Sequence, residues 1–378
     1  MSARKHSAVA LAVGALALAA CGDDSNTAGS GAGADIPDIE AGEAIPEARC
    51  EANRAAGSIT YLSSFDFAAA ASIVEVLVAD ERGYFDELCL DVDIQASFST
   101  ANYPLIAAND AQFSSGGSFS EVVTFAAAND ADFVAVAVEG RTAIDSLIVK
   151  PGEATTLGDL RGATIGVKGK LPPSVAAMLS GAGLVEGTDY ETVGLEGFDP
   201  TAHIAIDSIV GFPGYKSNEP GILERAGIDF TLFDPSEDDV PGSFGVLYTN
   251  RAFITEHPTA AEDFVRAAMA GLADAVADPA AASAIAVERI NGGGNPNFLS
   301  PEGETFRWET ESQLIADTTP DGTPMGLPDA AALQDELDTY AAVGLFGDGA
   351  TPAAADWIDA SIIASIYADD GSIIFPGE

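Results

Sequence analysis

The chain has 378 residues, with 59 acidic against 16 basic side chains and a formal net charge of −43. A surface this acidic repels a phosphate backbone and excludes nucleic acid as a partner. The three cysteines and three histidines never fall at metal-ligand spacing, which excludes a structural zinc site.

Arg4 and Lys5 precede an uncharged apolar run from Ala8 to Ala20, which ends in Leu18-Ala19-Ala20-Cys21 and a polar stretch. A charged start, a short apolar core and small residues describe an export signal over residues 1–20, too short to span a bilayer. Small residues directly before a cysteine resemble the lipobox of bacterial lipoproteins. That resemblance implies that Cys21 is lipidated and holds the protein on the outer side of the cell membrane. Residues 21–48 are rich in Gly, Ala, Ser, Asp and Glu and are expected to form a flexible tether. With Cys21 taken by lipid, Cys50 and Cys89 are an even pair in an oxidising compartment and are expected to be bonded. Two buried thiols are the alternative.

The remainder, about 330 residues, exceeds one typical core and implies two domains. Short apolar runs alternate with helical stretches. Ile59–Leu62 reads as a strand, Ala68–Asp80 as a helix ending near Gly83, and Leu90–Ala96 as a second strand. Ala111–Phe113 is a short strand leading into Ser114-Ser115-Gly116-Gly117-Ser118, followed by a helix over 119–129 and a strand over 133–138. Thr155–Leu160 carries a helix-start pattern, Thr164–Val167 is a strand, and Val175–Ala182 is a helix. Strands follow at 190–193 and 228–233, with a helix end and short strand over 204–210 and a polar loop over 211–220. Phe244–Tyr248 is a further strand, after which Ala-rich helices run to about Tyr367, with Pro258 suited to a first turn. The alternation predicts an α/β protein of two lobes: residues 49–148 with 245–378, and residues 149–244. Ligands of such sheets sit at the carboxyl ends of strands.

Three segments, in order, resemble one family. Gly83-Tyr84-Phe85-Asp86-Glu87-Leu88-Cys89-Leu90-Asp91-Val92 is similar to its "G-Y-F-x-x-x-G-L-x-V", with Cys89 in place of a glycine. Asp159-Leu160-Arg161-Gly162-Ala163-Thr164-Ile165-Gly166-Val167 is similar to "D-L-K-G-K-x-I-G-V", and Phe253 to Pro258 with Phe264 to Ala267 is similar to "F-x-x-x-x-P…F-x-x-A". The family is that of the bacterial binding proteins for thiamine pyrimidine precursors, nitrate, sulfonates and taurine. The resemblance implies a type II periplasmic-binding-protein fold with two inter-lobe crossovers and a helical C-terminal region. It also implies delivery of a small solute to an ABC permease and its ATPase.

Candidate ligand residues fall at the expected strand ends. Ser114, Ser115, Gly116, Gly117 and Ser118 form a strand-to-helix loop whose glycines allow close backbone approach and whose amides and hydroxyls donate. An N-cap with turn glycines explains the same loop without a ligand. Phe65 offers a stacking face and Asp66 an acceptor, although an N-cap with core aromatics fits equally. Tyr215, Asn218 and Glu219 resemble the "Asn-Glu-Pro" segment of members that take pyrimidine or flavin-like rings, against a plain helix start. Lys170 suits an anion or a solvated turn; Tyr248 and Arg141 are lesser candidates. No bidentate arginine cluster stands out, which favours a heterocycle over a sulfonate or nitrate-like anion. An enzyme of thiamine-pyrimidine metabolism and a lipid-anchored scaffold are the readings of other classes. Only His203 and His257 remain after processing, and no nucleophile pairs with a base. Neither a cofactor nor a metal is expected, and the chain is expected to be monomeric.

Overall fold

The computed structural model describes residues 36–294 and 299–377. The signal over 1–20 and the lipidation expected at Cys21 lie outside the described residues.

The first elements are α1 (Glu47–Ala55), β1 (Ser58–Leu62), α2 (Val74–Arg82), α3 (Tyr84–Glu87) and β2 (Asp91–Gln95). They continue with α4 (Ser99–Ala107), β3 (Phe113–Gly116), α5 (Phe119–Asn129) and β4 (Phe133–Gly140). The chain then crosses over residues 141–144 into β5 (Asp145–Val149), β6 (Thr164–Val167), α6 (Pro173–Gly181) and β7 (Glu191–Gly194). The second lobe closes with α7 (Pro200–Ile204), β8 (Gly211–Tyr215), α8 (Glu219–Arg225) and β9 (Thr231–Phe233). A return over 239–243 leads to β10 (Phe244–Asn250), α9 (Arg251–Glu256), α10 (Pro258–Ala277) and α11 (Pro279–Gly293). Helices α12 (Pro301–Thr318), α13 (Ala330–Ala342) and α14 (Ala360–Ser365) end the chain.

Two five-stranded sheets result, ordered β2-β1-β3-β10-β4 and β7-β6-β8-β5-β9. In the first, β10 runs antiparallel to both β3 and β4 while β1 pairs in parallel with β2 and β3. In the second, β5 runs antiparallel to β8 and β9. Each reversed strand is the one that enters its sheet from a crossover. The carboxyl ends of the other eight strands therefore meet the amino ends of β5 and β10 at the junction between the lobes. The sheet exchange expected at 148/149 falls inside β5, all of whose residues pair in the second sheet.

Cores form where apolar faces of the sheets meet helices. β4 and β10 are buried along their whole length, as the continuous apolar runs require of strands covered on both faces. Helix α10 packs Phe264, Ala268 and Leu272 into the first lobe beside Tyr61 and Phe113, whose ring lies 3.9 Å from that of Phe264. Helix α2 stops at Gly83, which adopts φ 79° as a left-handed cap.

Further expectations needed correction: Ser114, Ser115 and Gly116 belong to β3 and not to a loop, and the strand expected within 204–210 begins only at Gly211. The 211–220 segment is not a loop: Gly211–Tyr215 is β8. A Cβ on Gly211 would lie 2.2 Å from the Ile148 carbonyl oxygen, so the close strand contact selects glycine. The N–H groups of Lys150 and Lys216 bond the carbonyls of Val210 and Ile144, so even-numbered residues of β8 face β5. The missing N–H of Pro213 thus falls on the other side, where pairing with β6 has ended after Gly211. Helix α4 went unseen because Pro104 lies inside it. The expected tether ends early: Ile39 is buried, Gly42 donates to the Phe375 carbonyl, and Gly377 donates to that of Glu43.

Cys50 and Cys89 are joined in a disulfide with Cα atoms 5.3 Å apart. Nearby, buried Asp263 receives two hydrogen bonds of 2.8 Å from Arg49, one from Asn53 and one from Arg266. Helix α1 is thereby fixed to α10.

Candidate ligand-binding cleft

The loops after β1, β3 and β8 converge. A Cβ on Gly117 would lie 2.7 Å from Glu121 Oε2 and 3.5 Å from the Tyr215 hydroxyl, so the two lobes approach here across a glycine. Arg307 of α12 sits 5.7 Å from the Phe65 ring centroid and donates to Asn218 Oδ1 at 2.9 Å. Phe65, Gly117, Tyr215 and Asn218 therefore share one inter-lobe junction.

Within that group, several side chains are occupied. Ser114 Oγ donates to the Leu62 carbonyl and accepts from Asn102. Ser115 Oγ accepts the Ser64 N–H at 2.5 Å, and both serines are fully buried. Ser118 caps α5 by accepting the Glu121 N–H. A Cβ on Gly116 would strike Val122 at 2.6 Å. Asp66 accepts from its neighbour Phe67 and lies against Gly294, so its carboxylate serves the first lobe. Glu219 is buried, accepts the Tyr215 N–H at 2.8 Å and pairs with Lys168 at 3.4 Å. Lys170 is exposed and makes no ion pair among the described residues. Tyr248 is fully buried, its ring 5.9 Å from Tyr103. Arg141 donates to the Leu327 carbonyl.

Among the described residues the exposed aromatic side chains are Phe98, Phe198 and Tyr215, which follow or end β2, β7 and β8. Phe98 meets Phe65 edge to face at 5.8 Å, and Lys168 lies 5.0 Å from the Phe198 ring. Tyr103 donates to Glu121 at 2.8 Å. Desolvation of its hydroxyl end, then the charges of Asp145, Glu121 and Glu219, push Tyr215 well above the usual phenol range. Burial also lifts Asp145 to about 7; the Ser174 hydroxyl and Lys216 oppose this, while Glu219 and Glu121 reinforce it.

Helix α12 supplies residues that the sequence did not reveal. Glu304 and Glu311 accept the buried N–H groups of Ala69 and Ala71, both at 2.7 Å. Burial opposes the charge of Arg307, but Glu304 and Glu311 outweigh it and raise its pKa. Glu304, Trp308, Glu311 and Ile315 recur at helical spacing on one buried stripe. Two carboxylates in register with a tryptophan and an isoleucine were the available signal.

Solved structures share this architecture. The periplasmic sulfonate-binding protein SsuA of a sulfonate ABC transporter from Methylobacillus flagellatus KT superposes with a TM-score of 0.60 at 18% identity, over 82% of this chain and 93% of that one. The desulfurization enzyme DSZB superposes with a TM-score of 0.58 at 13% identity, over 81% and 98%. The fold is the type II periplasmic-binding-protein fold. The family model described as "NMT1/THI5 like" matches residues 70–282, more than half of the chain, and the protein belongs to that family. A curated relative, the riboflavin-binding protein RibY of Chloroflexus aurantiacus, is 29% identical over 167 residues. The match spans 44% of this chain and 44% of that relative.

Proposed function

We propose that the protein is an extracytoplasmic solute-binding protein of an ABC importer that closes its lobes on a planar, hydrogen-donating heterocycle such as riboflavin or a thiamine pyrimidine precursor. One observation carries this reading: the exposed aromatics Phe98, Phe198 and Tyr215 stand at strand ends of the two sheets, and Tyr215 lies within reach of the charges of Asp145, Glu121 and Glu219. Aromatic faces stack on a flat ring, and carboxylates accept from ring N–H or amino groups. The likeness to a riboflavin-binding relative points the same way.

A sulfonate or nitrate-like anion fits less well. Lys168 pairs with Glu219, Lys216 with Asp234 at 2.7 Å and Arg307 with Glu304 at 3.3 Å, which leaves, of the candidate cations among the described residues, Lys170 and the carbonyl-bound Arg141 without a carboxylate partner. We read the chain as a binder and not an enzyme: His203 Nε2 bonds the Glu196 carbonyl and His257 packs against the Phe253 ring, which gives both histidines structural neighbours. In this reading a lipid on Cys21 holds a monomer at the membrane, next to its permease and ATPase.

A thermal-shift series with riboflavin, an aminopyrimidine, taurine, an alkanesulfonate and nitrate tests the proposal, because a ligand of the native state raises the midpoint. Riboflavin or the aminopyrimidine should raise it with no change in ligand mass. A shift given by the anions alone and removed by Lys170→Ala would reverse the choice of ligand.

A further inference from the structure

The loop between β1 and α2 runs along the first lobe, and its buried amides need acceptors. Ser72 sits there at φ 62°, held by its N–H on Glu139 at 3.1 Å and by the Tyr61 hydroxyl on its carbonyl. Ala69 and Ala71 bond the carboxylates of Glu304 and Glu311. Trp308 Nε1 donates to the Ala275 carbonyl at 2.8 Å, so α12 is docked on the first lobe.

The other side of the same helix reaches the second lobe. Glu311 Oε1 accepts from Ser217 Oγ at 2.6 Å, Arg307 donates to Asn218, and Phe306 fills the space where a Cβ on Gly221 would lie 2.4 Å away. Ser217 and Asn218 lie between β8 and α8, next to Tyr215. A single carboxylate thus bonds Ala71 of one lobe with one oxygen and Ser217 of the other lobe with its second.

We propose that α12 is the closing latch of the cleft, and that Glu311 is the positioning residue that ties the two lobes together in the closed form. This rests on the solute-binding reading for its purpose, though not for its geometry. The Ser217 bond is made only when the lobes are together, so it adds to the closed state and leaves each lobe's own core untouched. It therefore acts on the open–closed balance, and through it on ligand residence.

The test uses the full chain carrying Ser217→Ala, with Glu311→Gln as a second variant that keeps one acceptor for Ala71. Hydrogen exchange without ligand should speed about tenfold in segments 68–72 and 215–219, while 133–138 and 146–149 keep wild-type protection. Riboflavin, followed by its fluorescence, should leave Ser217→Ala about tenfold faster than wild type, with Glu311→Gln in between. Unchanged exchange in both segments, or a rise spread equally over both sheets, would overturn the latch. If wild type fails to bind riboflavin, the ligand assignment falls, while the exchange pattern still decides the latch.

Discussion

Glu139→Gln removes one of two facing carboxyl groups buried at the lobe junction. Glu139 closes β4 beside the first crossover, and both it and Glu75 are wholly inaccessible. Glu139 Oε1 accepts the Ser72 N–H, whereas Oε2 and both oxygens of Glu75 have no hydrogen-bond partner among the described residues. Two carboxyl groups in so dry a site cannot both ionise. Burial lifts Glu139 to about 8, against the Ser72 N–H that pulls it down, and lifts Glu75 well above the ordinary range. Glu311 of α12 adds a like charge to both, Tyr61 of β1 faces both, and Tyr367 near the C-terminus faces Glu139.

The sign follows from linkage. The folded state keeps on Glu139 a proton that the unfolded state releases near its ordinary value of 4.5. Its stabilising contribution is complete below about pH 4.5 and is lost as pH rises through about 8. At about 1.36 kcal/mol per pH unit, the whole interval amounts to on the order of 5 kcal/mol at most. Urea unfolding followed by circular dichroism at pH 5 and pH 8.5 measures it. Relative to wild type, Glu139→Gln should gain roughly 3–5 kcal/mol between the two pH values. A gain under about 1 kcal/mol would refute the shared-proton account of this pair.

Other expectations concern the first lobe and its frame. Arg49→Ala strips a bidentate partner from buried Asp263, leaving Asn53 and Arg266; denaturation should show a loss of about 3 kcal/mol. Reduction of Cys50–Cys89, with a sequence separation of 39, should cost about 4 kcal/mol by loop-closure entropy, read as a lower unfolding midpoint. Gly140→Ala would place a Cβ 1.8 Å from the Phe244 ring where β4 meets the crossover; calorimetry should report a loss of about 1–3 kcal/mol.

The alternation of strands and helices made the two lobes legible, because apolar runs such as Phe133–Val138 have no other burial than a covered sheet. The loops after β1 and β3 were legible for the same reason: strand ends carry the polar, glycine-rich residues. β8 was hidden because Gly211, Pro213 and Gly214 are poor strand formers; tertiary closeness to Ile148 selects them. Several serines chosen as ligand donors turned out to bond the backbone, a use that no local pattern separates from ligand binding. Helix α12 was read only as one of the Ala-rich helices because Glu304, Arg307 and Glu311 look like a solvated face until Trp308 and Ile315 are placed on the same stripe.

Riboflavin fluorescence titrated with wild type and with Tyr215→Ala probes the cleft most directly. Saturable quenching by wild type, weakened at least tenfold in Tyr215→Ala at unchanged thermal midpoint, is the result this account requires. Equal quenching by both proteins, or none by wild type alongside tight binding of an alkanesulfonate, would contradict it.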